Sequence, residues 1–348
     1  MMAAVYRGVR DIRIERVPVP RISASEVLVR VEVCGVCPTD IKKIHHGTVP
    51  APRIFGHETS GTIVKVGGRV DGFRVGDRVA LHHHVPCLNC HACRHRTFAQ
   101  CPQYKRTGVT GGFEAAGGGY AEFVRVMSFC LPGLVRIPRG NTFEEAAMLE
   151  PVNTVLKAVR RLDVMAGDVV MVAGQGPIGL MFTKLLSLAG ARVLATDFMP
   201  ERMRLGKKLG AARVMEPDSP ELKGVVERMT RGRGLDAVVV AVPVDAAVRQ
   251  GTELLRGGGR VLLFAHTKRG ADAPVDLSTV CVDEKDLIGS YSADVTLQGE
   301  VARLVFRRAF DVRPLISHRF FLEETSAAID LAAAPTADSL KVVVKRRA

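Results

Sequence analysis

The sequence predicts an α/β protein of two domains, a β-rich N-terminal domain and a doubly wound parallel sheet. Its 348 residues exceed what one hydrophobic core usually organises. Short alternating apolar segments and Gly-rich turns dominate the first 150 residues, whereas buried strands alternate with helical segments from Asp168 onward. Strand–helix repetition of this kind is typical of a parallel sheet covered on both faces.

The N-terminal strands are short and are separated by turns. The segment "EVLVRVEV" (26–33) alternates between apolar and polar residues and is rich in β-branched side chains. Further short strands are predicted in the same part of the chain at 61–67, 75–81 and 119–126. This pattern predicts a barrel or a sandwich.

The second domain follows a change of pattern near Pro151. A buried strand at 168–174 precedes a helix that ends at Gly190. Strands are then predicted at 192–197, 212–216, 235–242 and 260–266, with helices at 200–211 and 246–259. A helix at 299–310 and a strand at 340–347 form the tail. We therefore predict domains at 1–152 and 153–294 and a tail at 295–348.

Composition restricts the classes of function. The net charge of +13 would suit an anionic partner, but aromatic residues make up only 5% and are not interleaved with basic ones. We therefore expect no nucleic acid. No apolar run is long enough to cross a membrane, and the N-terminal segment is too charged for a secretory signal, so we expect a cytoplasmic protein without membrane contact.

A glycine-rich loop points to a dinucleotide. The segment "GQGPIG" comprises Gly174, Gly176, Pro177, Ile178 and Gly179 in G-x-G-x-x-G spacing, after a predicted strand and at the start of a helix. Asp197 closes the next strand and can accept hydrogen bonds from the adenosine ribose, while its charge repels a 2′-phosphate. NAD is therefore favoured over NADP, although the nearby Arg202 weakens that preference. The alternative is an ordinary glycine turn.

Four cysteines predict a structural metal site. Cys87, Cys90, Cys93 and Cys101 lie in C-x2-C-x2-C-x7-C spacing within a lobe at about 82–106. Four thiolates fill a tetrahedral zinc shell and leave no open position. An iron–sulfur cluster is the alternative, because it too is held by four cysteines.

A second metal site is predicted from separated residues. Cys37, His57 and a carboxylate would form an open, three-ligand zinc site. The motifs "CGVCPTD", "GHETSG", "GGYAEF", "LEPVNT" and "GQGPIG", with the four-cysteine loop, occur in one order along the chain. With these motifs the sequence resembles the zinc-containing medium-chain alcohol dehydrogenases over its whole length. It is most similar to their sorbitol (polyol) and threonine dehydrogenase branch.

The resemblance implies a fold and a set of roles. The first domain would be a GroES-like β-barrel catalytic domain to which the tail returns, and the second a Rossmann domain. Cys37 and His57 match the catalytic zinc ligands, and Glu58 and Glu150 match two acids that each approach the zinc. Because a second carboxylate would make the site anionic, we expect one of them to bind at a time. Which acid binds is left open.

Other residues match supporting positions of the family. Asp40 matches the acid that orients the histidine ligand, Thr39 the hydroxyl that takes the alcohol's proton, and Thr154 a residue near the nicotinamide. Capping the following helix is the alternative for Asp40 and Thr39. Lys42 stands where many relatives have a relay histidine, so the proton path departs from theirs.

The resemblance also implies an activity. It is the NAD-dependent oxidation of a secondary alcohol (a polyol, sugar or amino alcohol) to a ketone, with two zinc ions per chain and a homotetramer or homodimer as the assembly. L-threonine 3-dehydrogenase is the alternative enzyme. A zinc-stabilised nucleic-acid-binding protein is the alternative of another class.

Overall fold

A computed structural model describes residues 1–82, 85–107, 117–266, 270 and 275–347. Residues 83 and 84 of the predicted metal lobe lie outside this described part. Among the described helices, none is both long enough and apolar enough to cross a membrane.

The chain divides into two compact units. One comprises residues 1–153 and 293–348, and the other comprises residues 154–292. The divisions thus fall at residues 153 and 293, where the sequence had suggested 152 and 295.

The helices and strands are numbered in chain order. The strands are β1 Met2–Gly8, β2 Asp11–Arg16, β3 Val27–Gly35, β4 Arg53–Ile54, β5 Glu58–Val66, β6 Arg78–Leu81, β7 Phe123–Val126, β8 Val135–Arg136, β9 Val169–Ala173, β10 Arg192–Thr196, β11 Arg213–Met215, β12 Leu235–Val240, β13 Leu255–Leu263, β14 Asp286–Gly289, β15 Ile316–Phe321 and β16 Lys341–Lys345. The helices are α1 Pro38–His46, α2 His91–Arg94, α3 Pro102–Thr107, α4 Phe143–Ala147, α5 Leu149–Leu162, α6 Pro177–Leu188, α7 Pro200–Lys208, α8 Leu222–Thr230, α9 Asp245–Leu254, α10 Leu277–Val282, α11 Gln298–Phe306 and α12 Thr325–Ala333.

The first unit is built on two sheets. One has the order β2-β1-β4, and the other has the order β15-β16-β3-β5-β6-β8, with β7 also paired to β3. Strand β3 is central because it pairs with β16, β5 and β7. Its valines are buried, among them Val27 and Val29 at 0% exposure. Strand β16 comes from the end of the chain and pairs with β3, so the tail completes the sheet of the first unit.

The second unit contains one parallel sheet of order β11-β10-β9-β12-β13-β14. Strand β9 lies between β10 and β12, so the strand order reverses there and two loops diverge at its carboxyl end. All five residues of β9 are buried, as expected for a strand with helices on both faces of its sheet.

The structure corrects two sequence-based boundaries. The helix predicted at 246–259 ends at Leu254, and β13 begins at Leu255. The glycines at 257–259 lie inside β13 but outside its pairing, because Leu255 and Arg260 are the residues paired with β12 on either side of them, and the Gly258 amide donates to Asp283 O at 2.8 Å. Strands β1, β2, β14 and β15 were not among those predicted from the sequence.

Candidate metal centre and dinucleotide loop

Cys37, His57 and Glu58 meet at one end of the large sheet. Cys37 caps the N-terminus of α1, where its sulfur accepts the Thr39 amide at 3.5 Å, and His57 and Glu58 lie where β5 begins. One ligand atom from each residue lies within 4.8 Å of those of the other two. A thiolate, an imidazole and a carboxylate at this spacing are a donor set suited to zinc.

A glycine makes room for the acid of this cluster. Gly35 of β3 pairs with Glu58 of β5, and a Cβ at Gly35 would lie 1.9 Å from Glu58 Oε2. Any larger residue at position 35 would therefore push the carboxylate out of its place. The register of two central strands thus fixes the position of the acid.

Asp40 supports His57, and Tyr120 supports Asp40. Asp40 Oδ1 lies 3.2 Å from His57 Nδ1, and the Tyr120 hydroxyl donates to Asp40 Oδ2 at 3.2 Å. All three side chains are buried. Asp40 lies in the first turn of α1 without capping it, since Cys37 is the cap. The sequence had pointed to Asp40, but it gave Tyr120 no role.

The charges around His57 favour a cation. Burial lowers the pKa of His57, but the negative charges of Asp40 and Cys37 outweigh burial and raise this pKa well above its ordinary value. Burial raises the pKa of Asp40, but the charge of His57 and the hydrogen bonds from His57 and Tyr120 hold it below its ordinary value. The negative charges of Asp40 and Cys37 favour a positive charge beside His57, and a divalent cation supplies it.

Lys341 is a buried partner of Glu58 that sequence reasoning missed. Its Nζ donates to Glu58 Oε1 and, at 2.9 Å, to Val36 O. Burial lowers the pKa of Lys341, but the charges of Glu58 and Cys37 outweigh it and raise this pKa. The only signal in the sequence is a lysine at the start of the apolar segment "LKVVVK".

Glu150 lies near this cluster without belonging to it. It is buried in the first turn of α5, and its carboxylate is not one of the ligand atoms that lie within 4.8 Å of one another in the group of Cys37, His57 and Glu58. Burial raises the pKa of Glu58, and the negative charge of Glu150 raises it further, against the lowering effect of Lys341. Of the two acids indicated by the sequence, Glu58 is therefore the one that the structure brings to Cys37 and His57.

The remaining residues of the predicted reaction site lie on α1 and α5. Thr39 is half-buried in the first turn of α1, two residues after Cys37, and Lys42 is half-buried one turn later. Thr154 is half-buried in α5.

The four cysteines of the metal lobe form a compact cluster. Their sulfur atoms are 3.5 Å apart for Cys90 and Cys93, 3.6 Å for Cys101 and Cys87, and 4.0 Å for Cys87 and Cys93. Sulfurs bound to one zinc at about 2.3 Å lie about 3.8 Å apart in a tetrahedron. The distances between the sulfur atoms therefore fit a single ion. An iron–sulfur cluster would lie between the four sulfur atoms and hold them further apart.

Backbone amides favour the thiolate of Cys101. Burial raises the pKa of Cys101, but hydrogen bonds from the amides of Cys87, Tyr104 and Gln103 outweigh it and lower this pKa to about 6. The Cys87 amide, for example, lies 3.3 Å from Cys101 Sγ. The thiolate of Cys101 is therefore favoured as a cation ligand, whereas burial raises the pKa of Cys93 to about 12.

The glycine loop makes a tight turn between β9 and the start of α6. Gly174 follows β9 with φ of +89°, and Gly176 caps α6, whose first residue is Pro177. A Cβ at Gly179 would lie 1.8 Å from Gly174 O, so α6 can approach the loop only with glycine at that position. The amino end of α6 therefore begins directly at the loop, the arrangement found where helix amides bind phosphate.

Asp197 and Arg202 flank this loop. Asp197 follows β10 and accepts the amides of Gln175, at 2.6 Å, and Met199, at 2.9 Å. Arg202 lies in α7 with its guanidinium 4.0 Å from where a Gly176 Cβ would be. A carboxylate and a guanidinium thus both lie beside the glycine loop.

Two protein-family models match this chain, one in each of its two compact units for most of its length. The family model described as "Alcohol dehydrogenase GroES-like domain" matches residues 23–138, and that described as "Zinc-binding dehydrogenase" matches residues 177–307. Sorbitol dehydrogenase of Bombyx mori is 32% identical, over 99% of this chain and 98% of its own. The chain belongs to the zinc-containing medium-chain alcohol dehydrogenase family. The predicted fold class, a GroES-like β domain with a doubly wound parallel sheet, is confirmed.

Two further relatives of this dehydrogenase bear on its chemistry. L-threonine 3-dehydrogenase of Rhizobium johnstonii is 28% identical over 93% of each chain. The crystal structure of a zinc-binding dehydrogenase target from Sinorhizobium meliloti 1021, bound to NADP, is 28% identical, covers 99% of this chain and 98% of its own, and has a TM-score of 0.86. The prediction that the protein is an alcohol dehydrogenase is confirmed.

Tyr120 offers a test of the support around His57 in this dehydrogenase. The Tyr120→Phe variant should bind zinc at the Cys37–His57 site about tenfold more weakly, because Asp40 loses a hydrogen bond that holds it against His57. The measurement is the chelator concentration that removes half of the activity. Tyr6→Phe, at another buried tyrosine of the same unit, is the control and should leave that concentration unchanged. Equal values for both variants would contradict the role of Tyr120.

Proposed function

We propose that this dehydrogenase oxidises a secondary alcohol (a polyol, sugar or amino alcohol) to a ketone, with NAD as hydride acceptor. The main support is the Cys37–His57–Glu58 cluster in a chain that also carries the Gly174–Gly179 loop and Asp197. Relatives named sorbitol dehydrogenase and L-threonine 3-dehydrogenase indicate the class of alcohol.

The chain would hold two zinc ions. The four cysteines of the lobe would hold the first, which is structural because no position is left open. Cys37, His57 and one carboxylate would hold the second. When bound there, zinc supplies Lewis-acid polarisation of the alcohol hydroxyl and lowers its pKa towards neutrality.

We infer that Lys341 decides which acid reaches the second ion. Cys37 and one carboxylate balance the charge of a divalent cation, and another carboxylate would weaken its action on the alcohol. While Lys341 holds Glu58 and offsets its charge, Glu150 in the first turn of α5 would have to move towards Cys37 and His57 to serve as the acid of the ion. Release of Glu58 would let it take that place, so the two acids would alternate.

Asp40 orients the His57 ring, and Thr39 takes part in proton transfer from the alcohol. Asp40 holds the ring of His57 through Nδ1, which leaves Nε2 for the metal. The Thr39 hydroxyl accepts the alcohol's proton and passes it on. Because Lys42 stands in place of a relay histidine, we propose that the proton leaves through water. The balance is one alcohol and NAD⁺ giving one ketone, NADH and a proton.

The proposed preference for NAD depends on the charge of Asp197. Asp197→Asn should lower the KM for NADP about tenfold, since repulsion of a 2′-phosphate is lost. It should raise the KM for NAD only a few-fold, because asparagine can accept one of the two backbone amides that Asp197 accepts. The measurement is the KM for each cofactor at a saturating alcohol concentration. Asp163→Asn, at a side chain 83% exposed in the same unit, is the control. An unchanged ratio of the two KM values would refute the assignment.

A substrate panel tests the proposed activity. NADH production would be recorded with sorbitol, xylitol, other polyols and sugars, and L-threonine. Turnover of polyols supports the proposal, whereas turnover of L-threonine alone would favour the threonine 3-dehydrogenase alternative.

A gel shift at physiological salt tests the nucleic-acid alternative, for which we expect no complex.

We further propose a homo-oligomer, either a tetramer or a dimer, that acts in the cytoplasm. Within the described sheet β14 pairs only with β13, and it lies at an edge with Leu287 37% exposed. An exposed apolar edge strand invites pairing with a second copy. Light scattering on the eluted protein gives the number of chains.

A further inference from the structure

His266 lies at the same edge of the parallel sheet as the glycine loop. Strands β9, β12 and β13 are adjacent, with Val240 of β12 paired to Ala173 on one side and to Leu263 on the other. The carboxyl ends of β9, β12 and β13 therefore lie side by side at one edge of the sheet. Gly174 follows β9 directly, and His266 comes three residues after the end of β13.

The segment between β12 and α9 connects these two places. A Cβ at Gly174 would lie 2.3 Å from Val242 Cγ1, so this segment packs against the glycine loop. Three residues later α9 begins with Asp245, whose Oδ1 lies 3.8 Å from His266 Nε2. The residues from Gly174 to His266 thus form one continuous edge within the second unit.

The imidazole of His266 has no hydrogen-bond partner among the described residues. Both ring nitrogens are shielded from water, although the side chain as a whole is 21% exposed. Asp245 is too distant for a hydrogen bond. Phe264, two residues earlier, packs edge-on against Phe182 of α6 at 5.0 Å and fixes the chain leading to His266. A shielded polar group of this kind is costly unless a ligand supplies the missing partner.

The fold indicates which part of a dinucleotide would reach His266. With the adenosine ribose at Asp197, after β10, the pyrophosphate lies on the loop after β9. The other half of the molecule then extends beyond β9 on the side of β12 and β13. That half carries two ribose hydroxyls and a carboxamide, which can accept hydrogen bonds from an imidazole or donate to it.

We propose that His266 is a cofactor-contacting residue that hydrogen-bonds the nicotinamide half of the dinucleotide. This inference rests on the dinucleotide binding proposed above. It adds a residue that the glycine motif, 90 residues earlier in the chain, does not indicate. The proposed contact also explains why a polar side chain, that of His266, closely follows the apolar strand β13.

The test compares cofactor fragments on the full-length protein. His266→Ala should bind NADH about tenfold more weakly by fluorescence titration, while ADP, which lacks the nicotinamide half, binds as in the wild type. Retained ADP binding also shows that the variant is folded. His266→Gln, which keeps a donor and an acceptor, should recover most of the affinity for NADH. His318→Ala, at a partly exposed histidine of the other unit, is the control.

The outcomes separate this inference from the proposed function. If wild-type protein fails to bind NADH, the proposed function itself is wrong. If the wild type binds NADH and His266→Ala binds it equally well, only the role of His266 is refuted. An equal loss for NADH and ADP would also refute it, because the effect would not belong to the nicotinamide half. Binding of ADP-ribose then locates the contact. If His266→Ala weakens the binding of both ADP-ribose and NADH, the contact is with the ribose. If it weakens the binding of NADH alone, the contact is with the carboxamide.

Discussion

Cys37→Ser is expected to lower kcat/KM for alcohol oxidation by at least about a thousandfold, which corresponds to about 4 kcal/mol of transition-state stabilisation. A serine hydroxyl is a far poorer zinc ligand than a thiolate, and the site would retain only His57 and a carboxylate. Zinc content should fall from about two ions per chain to about one, because the four-cysteine site is untouched. NADH binding should remain, since the Gly174–Gly179 loop belongs to the other compact unit.

The matched control for this variant is Cys281→Ser. Cys281 is an exposed free cysteine in α10, so its replacement should leave activity, zinc content and NADH binding unchanged. Zinc is measured by atomic absorption after gel filtration, and turnover by NADH absorbance. Full turnover in Cys37→Ser with one zinc per chain would show that the reaction does not use this site. Two zinc ions per chain in that variant would mean that Cys37 is not a ligand.

The features that sequence could predict without a resemblance to a known family are those encoded locally. The glycine loop is one example, because Gly174, Gly176 and Gly179 act within one turn and their role follows from their spacing. The four-cysteine lobe is another, since all its ligands fall between Cys87 and Cys101. In both, chain connectivity already brings the residues together, so the tertiary fold adds little information.

The features that sequence could not predict depend on distant pairing. Lys341 reaches Glu58 across 283 residues, because β16 returns to pair with β3 beside β5. Tyr120 reaches Asp40 across 80 residues for a similar reason. A lysine or tyrosine next to a strand carries no pattern that names its partner. The early end of α9 was missed because Leu255 pairs with Leu235 of β12, so β13 begins before the glycines at 257–259, which lie in a break of the pairing.

Lys341→Met should destabilise the metal-free protein strongly, by about 3–5 kcal/mol, because it leaves Glu58 as an unpaired charge in the interior. The midpoint of thermal unfolding in the presence of chelator should therefore fall by several degrees. Zinc should restore much of this loss, since Glu58, released from the lysine, can pair with the cation beside Cys37 and His57. Zinc should thus raise the unfolding midpoint of the variant more than that of the wild type.

Two variants separate this charge effect from a general packing defect. Lys345→Met, four residues further along β16 and partly exposed, should leave the unfolding midpoint nearly unchanged. Lys341→Met combined with Glu58→Gln removes both charges, so it should be more stable than Lys341→Met alone in chelator and should lose the additional response to zinc. The combined variant would behave like the single one if the lysine contributed only its volume. That result would refute the view that Lys341 and the metal compete for one carboxylate.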